Sequence, residues 1–538
     1  MDKNFFIALA AAVLLYMGYT TLFPKPAPPM QSASATTQQS STQTAAVKTA
    51  TLVKTAASTP KKTEEKEAVF TLETAQANIT FSSKGAAIKD FVFKDTIGDV
   101  NLTPYPGPGY FATLPDINFT RINASDADMA FEAQIAKGLK AVKKYSVNKE
   151  GGINRFSLSI TNTTKEALEI PELGINFGPG LATVKSEESE NPTNWRAICL
   201  VQEEGRKKPT INKITEKIAR NPAKLEAECH NWAWAGIDNR YFLVAFVPKN
   251  WQGKAAELGV SQKFTYNKDS FFGLFGKKAV MGPELDIKLP SVIPAGQSVV
   301  FDADFYFGPK DYNELIELPY TLDRSIQFGF FGQFGKWARN LLEWIYGLTH
   351  NYGWAIVVMT FLIQILLFPL TYKQLKSSLI MQKIQPEMQR LQAKYKGDPA
   401  TQQREVMALY KKYGANPLSG CLPIFIQLPI FLALFNALRT SWALHGAPFT
   451  LWIQDLSAKD PYYVLPIAMG IMMFVQQKLT MPDLGKDNPS MAMMKWMPLF
   501  MVVLFLNFPA GLTLYWFVSN CISFVINIFL KKKLAKAN

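Results

Sequence analysis

Polar side chains punctuate the most apolar stretches of this 538-residue chain. Thr360, Gln364, Gln427, Asn436, Asn507, Ser519, Asn520, Ser523 and Asn527 are all amides or hydroxyls. None of them ionises near neutral pH. The set therefore suits hydrogen bonding and solvation, not proton transfer. Polar groups inside apolar spans are costly and point to function. Each one alone also fits an ordinary bond between helices. Together they fit a wet cavity that receives water or a passing polar peptide.

Other chemistry has little to work with. The chain has three histidines and four cysteines. Cys229 and His230 are adjacent, but no second cluster completes a metal site. Neither GxxxxGK[ST] nor GxGxxG occurs, so no nucleotide or other cofactor is expected. Glu187, Glu188 and Glu190 read as a solvated loop. Cys199 and Cys229 can pair only in an oxidising compartment and with suitable geometry, which the sequence leaves open. The expectation is a protein that is not an enzyme and holds no metal.

The elements around these residues divide by charge. Residues 331–538 hold 20 Lys+Arg against 8 Asp+Glu, whereas residues 1–330 hold 37 against 35. The basic half also contains runs such as Leu499 to Phe508, which argue against a DNA-binding protein. Residues 1–23 fit an N-terminal transmembrane anchor, because Phe5 to Phe23 is longer than the usual core of a signal peptide. Residues 24–68 are Pro, Ala, Ser, Thr, Gln and Lys, a disordered linker. Residues 69–330 carry short alternating runs, such as 87–93, 154–160 and 299–305, which predict an antiparallel β-sandwich. One helical candidate lies near Lys213 to Lys224. Residues 331–350 form an amphipathic helix with Phe334, Trp337, Ala338, Leu341, Ile345 and Leu348 on one stripe. It suits the membrane interface, and packing on the sandwich is the alternative.

Residues 351–530 read as a helical membrane core, with spans at about 353–371, 420–440, 461–477, 494–508 and 511–530. Pro509 and Gly511 split a stretch too long for one span. With the anchor this makes six transmembrane helices. Between the first two core spans, residues 373–416 form a helical hairpin turning at Lys396 to Pro399. The hairpin segment 373–412 carries nine basic and three acidic residues, and the tail 531–538 carries four basic and none acidic. The positive-inside rule puts both on the cytoplasmic side, with both termini, and puts the β domain outside. In a bacterial inner membrane that is the periplasm. Lys383, Arg390, Lys394, Lys411, Lys412, Lys531, Lys532 and Lys533 offer a basic face to anionic membrane lipid or ribosomal RNA, or they serve orientation alone. Nine of the 18 methionines fall between Met469 and Met501. They suit either a surface that accepts many apolar sequences or gap filling in a bundle.

Several stretches carry a resemblance. Residues 416–431 (NPLSGCLPIFIQLPIF), 449–461 (FTLWIQDLSAKDP) and 508–520 (FPAGLTLYWFVSN) resemble the YidC membrane protein insertases of Gram-negative bacteria. Residues 234–248 (WAGIDNRYFLVAFVP) and 307–310 (FGPK) are similar but weaker signals. The resemblance implies a periplasmic β-supersandwich and a five-helix insertase core enclosing a hydrophilic groove. It implies nascent membrane proteins, the Sec translocon and the ribosome as partners. In the groove, the family usually has an arginine before its Pro-Leu-Thr. Here Gln364 stands before Pro369-Leu370-Thr371. The family's other groove positions map to Thr360, Tyr515 and Trp516. Gln427, Asn436, Ser519, Asn520 and Ser523 complete the expected groove. A secondary transporter and a periplasmic glycan-binding protein are the rival readings, and the sequence shows neither an intramembrane ionisable group nor an inverted repeat for the first.

Overall fold

The computed structural model describes residues 55–56 and 66–536, except 126, 172, 189, 202–208, 214–228, 230, 251–257, 269–277, 330–331, 396, 415–421 and 481–488. The expected anchor, most of the linker, the helical candidate after Lys213, His230 and the end of the tail lie outside the described residues.

Alternating runs become strands. Residues Ala87–Phe93, Ile153–Asn162 and Ser298–Pro309 alternate buried and more exposed side chains along much of their length. A nine-stranded antiparallel sheet runs in the order 210–213, 196–201, 232–238, 242–248, 298–309, 153–162, 139–146, 128–136 and 120–124. Smaller sheets lie beside it, one of four strands beginning at Val69–Glu73 and one of strands 174–177, 278–288 and 258–268. Phe131, Phe156, Phe246 and Phe305 of the large sheet share one core with Phe81 and Phe91 of the four-stranded sheet and Phe177 of the third. The Phe91 and Phe307 rings stack at 4.0 Å.

The other face of the large sheet is also covered. Ile198, Leu200, Trp234, Leu243, Ala245, Val247 and Tyr306 pack on Leu315, Leu322, Ile326 and Phe328. Phe242–Pro248 is buried at every residue. A strand covered on both faces needs no polar alternation, which explains its unbroken apolar sequence.

Three polar features hold the β-rich part together. Lys143 is buried among aromatic rings, where its Nζ donates to the carbonyl of Gly85 at 2.8 Å and to that of Phe111. Burial pushes its ammonium pKa well down. Cys199 and Cys229 form a disulfide. Asp238 is fully buried between Arg196 and Lys310, whose Nζ donates at 2.9 Å.

Burial pushes the Lys310 ammonium down to about 8, against the pull of the Asp238 carboxylate. The unfolded chain keeps that proton up to about pH 10.4. Between the two values the unfolded state binds more protons, so the Lys310 contribution to stability rises with pH. The stability of the wild type relative to Lys310→Met should therefore climb by up to about 3 kcal/mol between about pH 8 and about pH 10.5. Unfolding midpoints measured across that range check this, and a flat difference contradicts it.

Among the described residues after the β-rich part, eight helices position the rest: α1 (Tyr312–Glu317), α2 (Gly332–Thr349), α3 (Tyr352–Lys394), α4 (Pro399–Lys412), α5 (Leu422–Arg439), α6 (Val464–Thr480), α7 (Pro489–Phe505) and α8 (Ala510–Lys536). Among the described residues, Tyr352–Met381 and Ala510–Lys533 are long and apolar enough to cross a membrane. Shorter apolar stretches lie in α5, α6 and α7.

The stripe expected on α2 divides. Ala338 and Ile345 turn inward with Leu342, while Phe334, Trp337 and Leu348 face outward with Trp344. The inward face packs on α3 and α5. The first core span and the first hairpin arm are one helix, α3, which continues through Pro369 and Pro386. Asp398 then caps α4 by accepting from the backbone of Ala400 and Thr401. Ile384 and Met388 meet Leu409, with Leu391, Val406 and Tyr410 beside them.

The acidic cluster departs from expectation. Glu187 is buried in an ion pair with Arg240, and Glu190 lies 3.4 Å from Arg439 at the end of α5. Glu190 joins the β-rich part to α5, and Glu187 holds Arg240, whose Nε donates to the carbonyl of Arg439. The partners lie far away in sequence, which is why local composition suggested a solvated loop.

Candidate functional site

The site is a polar seam between α3, α5 and α8, and α8 supplies most of it. Its spacing puts Tyr515, Ser519, Ser523 and Asn527 four residues apart, hence along one side of the helix. The start of α8 is fixed by the loop before α6. Ala510 N donates to Ala458 O at 2.7 Å and Gly511 N to Leu456 O at 2.8 Å. A Cβ on Gly511 would lie 3.2 Å from that Leu456 oxygen, so the close approach favours glycine. Asp460 organises the same loop, accepting from Trp452 Nε1 and from the backbone of Tyr462 and Leu465.

Within the seam, among the described residues, two side-chain hydrogen bonds cross between helices. Gln364 Nε2 of α3 donates to Ser519 Oγ of α8 at 2.6 Å. Gln427 Nε2 of α5 donates to the Tyr515 hydroxyl at 3.0 Å. Gln364, Ser519 and Tyr515 are all buried. Thr360 is buried one turn before Gln364, and its hydroxyl donates to Ile356 O on its own helix. Trp516 closes one side, its ring 4.7 Å from Phe431 and 5.3 Å from Phe505. The Asn520 Nδ2 is buried with no hydrogen-bond partner among the described residues. Ser523 is half-buried beyond it.

The structure therefore joins Gln364 to Ser519 and Gln427 to Tyr515, with Thr360 one turn before Gln364 and with Trp516, Asn520 and Ser523 on the same stretch of α8. Asn436 stands apart. It lies near the other end of α5, donates to Leu432 O at 2.8 Å and faces Gly329. Asn507 is exposed at the turn between α7 and α8. Asn527, one of the polar side chains read from the sequence, is buried four residues beyond Ser523 on α8.

Methionine is divided between roles. Met359 and Met469 are fully buried, and Met473 and Met501 pack around the same core. For these four, gap filling accounts for the thioether. The basic side chains Lys383, Arg390, Lys394, Lys411, Lys412, Lys531, Lys532 and Lys533 are all exposed. Among the described residues no cluster of His, Cys, Asp and Glu has the makings of a metal site.

The chemistry available is solvation. Buried amides and hydroxyls can exchange hydrogen bonds with a polar chain segment, and the seam residues named here include no Asp, Glu, His or Lys.

Residues 344–537 match the family model described as 60Kd inner membrane protein, and residues 105–339 match that of the YidC periplasmic domain. The membrane protein insertase YidC of Syntrophus aciditrophicus (strain SB) is 32% identical over 582 residues, covering 99% of this chain and 100% of that protein. That of Endomicrobium trichonymphae is 33% identical over 477 residues, covering 87% and 86%. A solved structure, that of an active YidC insertase with its first transmembrane domain resolved, is similar with a TM-score of 0.38 and 18% identity, over 87% of this chain and 94% of that one. With relatives matched from end to end, this chain belongs to the YidC family of membrane protein insertases, proteins of the inner membrane with a periplasmic domain.

Proposed function

We propose that the seam is the substrate groove and that it works by solvating the polar flank of a nascent membrane protein. The observation that carries this reading is the pair of cross-helix bonds, Gln364 to Ser519, which is buried, and Gln427 to Tyr515, which is half-buried. A polar group moved from water into an apolar medium without a partner costs roughly 2–7 kcal/mol. A groove of amides and hydroxyls lowers that cost by offering replacement bonds. The apolar part of the substrate then partitions into lipid past the outward faces of the helices. Hydrophobic transfer and the membrane potential supply the driving force.

In this reading the chain has six spans, namely the anchor within residues 1–23 and five core spans corresponding to the first part of α3, α5, α6, α7 and α8. Both termini, the hairpin 373–416 and the tail 531–538 are cytoplasmic. Residues 69–330 form a periplasmic β-supersandwich, and α2 lies at the outer interface. The exposed basic side chains of the hairpin and tail meet anionic lipid, the ribosome or the Sec translocon. Excess positive charge on these segments supports that orientation.

Purified protein in liposomes should insert a short single-span substrate without added nucleotide. Protection of the substrate's translocated end from protease is the readout. Protein-free liposomes giving the same yield would sink the proposal.

A further inference from the structure

The loop between α5 and α6 ends in an apolar tip that is left exposed among the described residues. Leu451 is 79% exposed, and its backbone is left-handed at φ +55°. For leucine that conformation costs about 1–2 kcal/mol. Tyr462 is 68% exposed, and Tyr463 also has a left-handed backbone, at φ +58°. The acids of this loop are drawn inward. Asp460 is buried and spends both oxygens on Trp452, Tyr462 and Leu465, while Asp455 accepts from Ser457 N. Lys459 remains as an exposed cation.

The tip continues the outward apolar surface of α3 and α6. Phe449, two residues before Leu451, holds the exposed Trp354 ring edge-on at 5.5 Å. From Trp354 the outward row of α3 runs on through Val358, Phe361 and Ile365. Directly after Tyr463, the outward row of α6 runs through Val464, Ile467, Ile471 and Phe474. From Val464 to Phe474 the helix rises only about 15 Å, half the thickness of a bilayer core of about 30 Å. The apolar surface at its outer end must therefore be continued by something else.

We infer that Leu451, Tyr462 and Tyr463 insert into the outer leaflet of the bilayer, making this loop a lipid anchor beside α3 and α6. Tyrosine suits the headgroup level, and Lys459 can reach up to lipid phosphates. Lipid contact removes the Leu451 side chain from water, which offsets the cost of its backbone conformation. The inference rests on the proposed placement of this loop on the outer side of the membrane.

A nitroxide on Leu451→Cys tests it, in full-length protein with Cys421→Ser and Cys521→Ser, reconstituted in phosphatidylethanolamine and phosphatidylglycerol vesicles. Phe361→Cys, outward on α3, serves as the membrane reference. Val292→Cys, on an exposed strand of the β-rich part, serves as the aqueous reference. The label at 451 should be several-fold less accessible to a water-soluble nickel chelate than the label at 292, and more accessible to oxygen. Nickel accessibility equal to that at 292, with the 361 label in hydrocarbon, overturns the anchor and leaves the spanning core intact. An aqueous label at 361 overturns both. No partner protein is present in these vesicles, so a tip reserved for a protein would also read as aqueous.

Discussion

Replacing Arg240 by alanine should destabilise the junction between the β-rich part and the helices by about 3–5 kcal/mol. Arg240 sits in the turn between strands 232–238 and 242–248 and is buried. Its Nε donates at 2.6 Å to the carbonyl of Arg439, the last residue of α5. A terminal carbonyl lacks a partner within its own helix and lies at the negative end of the helix dipole, so a guanidinium is well matched to it. The same side chain pairs with buried Glu187 and lies over the Tyr241 ring at 4.7 Å. Truncation would strand the Glu187 carboxylate without its cation, and that stranded charge supplies most of the loss. Arg240→Lys keeps a charge but not the forked geometry, and it should fall between the two. The exposed pair of Lys89 and Glu67 gives the contrast, since Lys89→Ala should change stability by at most about 1 kcal/mol. Thermal unfolding of the protein in detergent, followed by tryptophan fluorescence, checks this. Equal midpoints for Arg240→Ala and Lys89→Ala would refute it.

Gln364→Leu should slow insertion by about tenfold, which corresponds to about 1.4 kcal/mol, the scale of one hydrogen bond left unmade in a buried site. Folding should suffer less. Ser519 can turn its hydroxyl to the carbonyl one turn back on α8, and side-chain bonds between membrane helices average only about 0.6 kcal/mol. Substrate has no such alternative, because the amide offers both a donor and an acceptor to whatever enters the seam. Gln364→Arg keeps donors at that position and should retain insertion. The initial rate for a single-span substrate in proteoliposomes distinguishes the variants. A wild-type rate for Gln364→Leu would remove this residue from the mechanism.

Much of the architecture was legible in local pattern. Runs such as 153–162 alternate because one face of each strand meets the core, and Pro509 with Gly511 marked the turn between α7 and α8. Pairing across the chain was not legible. Gln364 and Ser519 are 155 residues apart, and nothing local joins them. Asn436 shares a helix with Gln427, yet nine residues of rise, about 14 Å, put it at the opposite end. Glu187 and Glu190 read as a solvated loop because Arg240 and Arg439 are distant in sequence. A lone histidine such as His445 carries no local signal of its partner. In the fold it is buried, with Nε2 2.9 Å from Asp95 of the β-rich part and its ring 4.7 Å from that of Trp442. On α2 the period was visible, but not which side of the stripe would turn outward, since aromatic side chains suit either a core or a lipid interface.

Photocrosslinking from Gln364 and Trp516 to a stalled nascent membrane protein tests the groove most directly. The outward-facing Leu366 of α3, exposed and only two residues from Gln364, is the natural control. A crosslinker at 364 or 516 should capture the polar flank of the substrate at an early stage of insertion, before any adduct forms at 366. Early adducts at 366, with none from 364 or 516 at any stage, would mean that the substrate enters along the lipid-facing surface and that the polar seam serves only to hold the helices together.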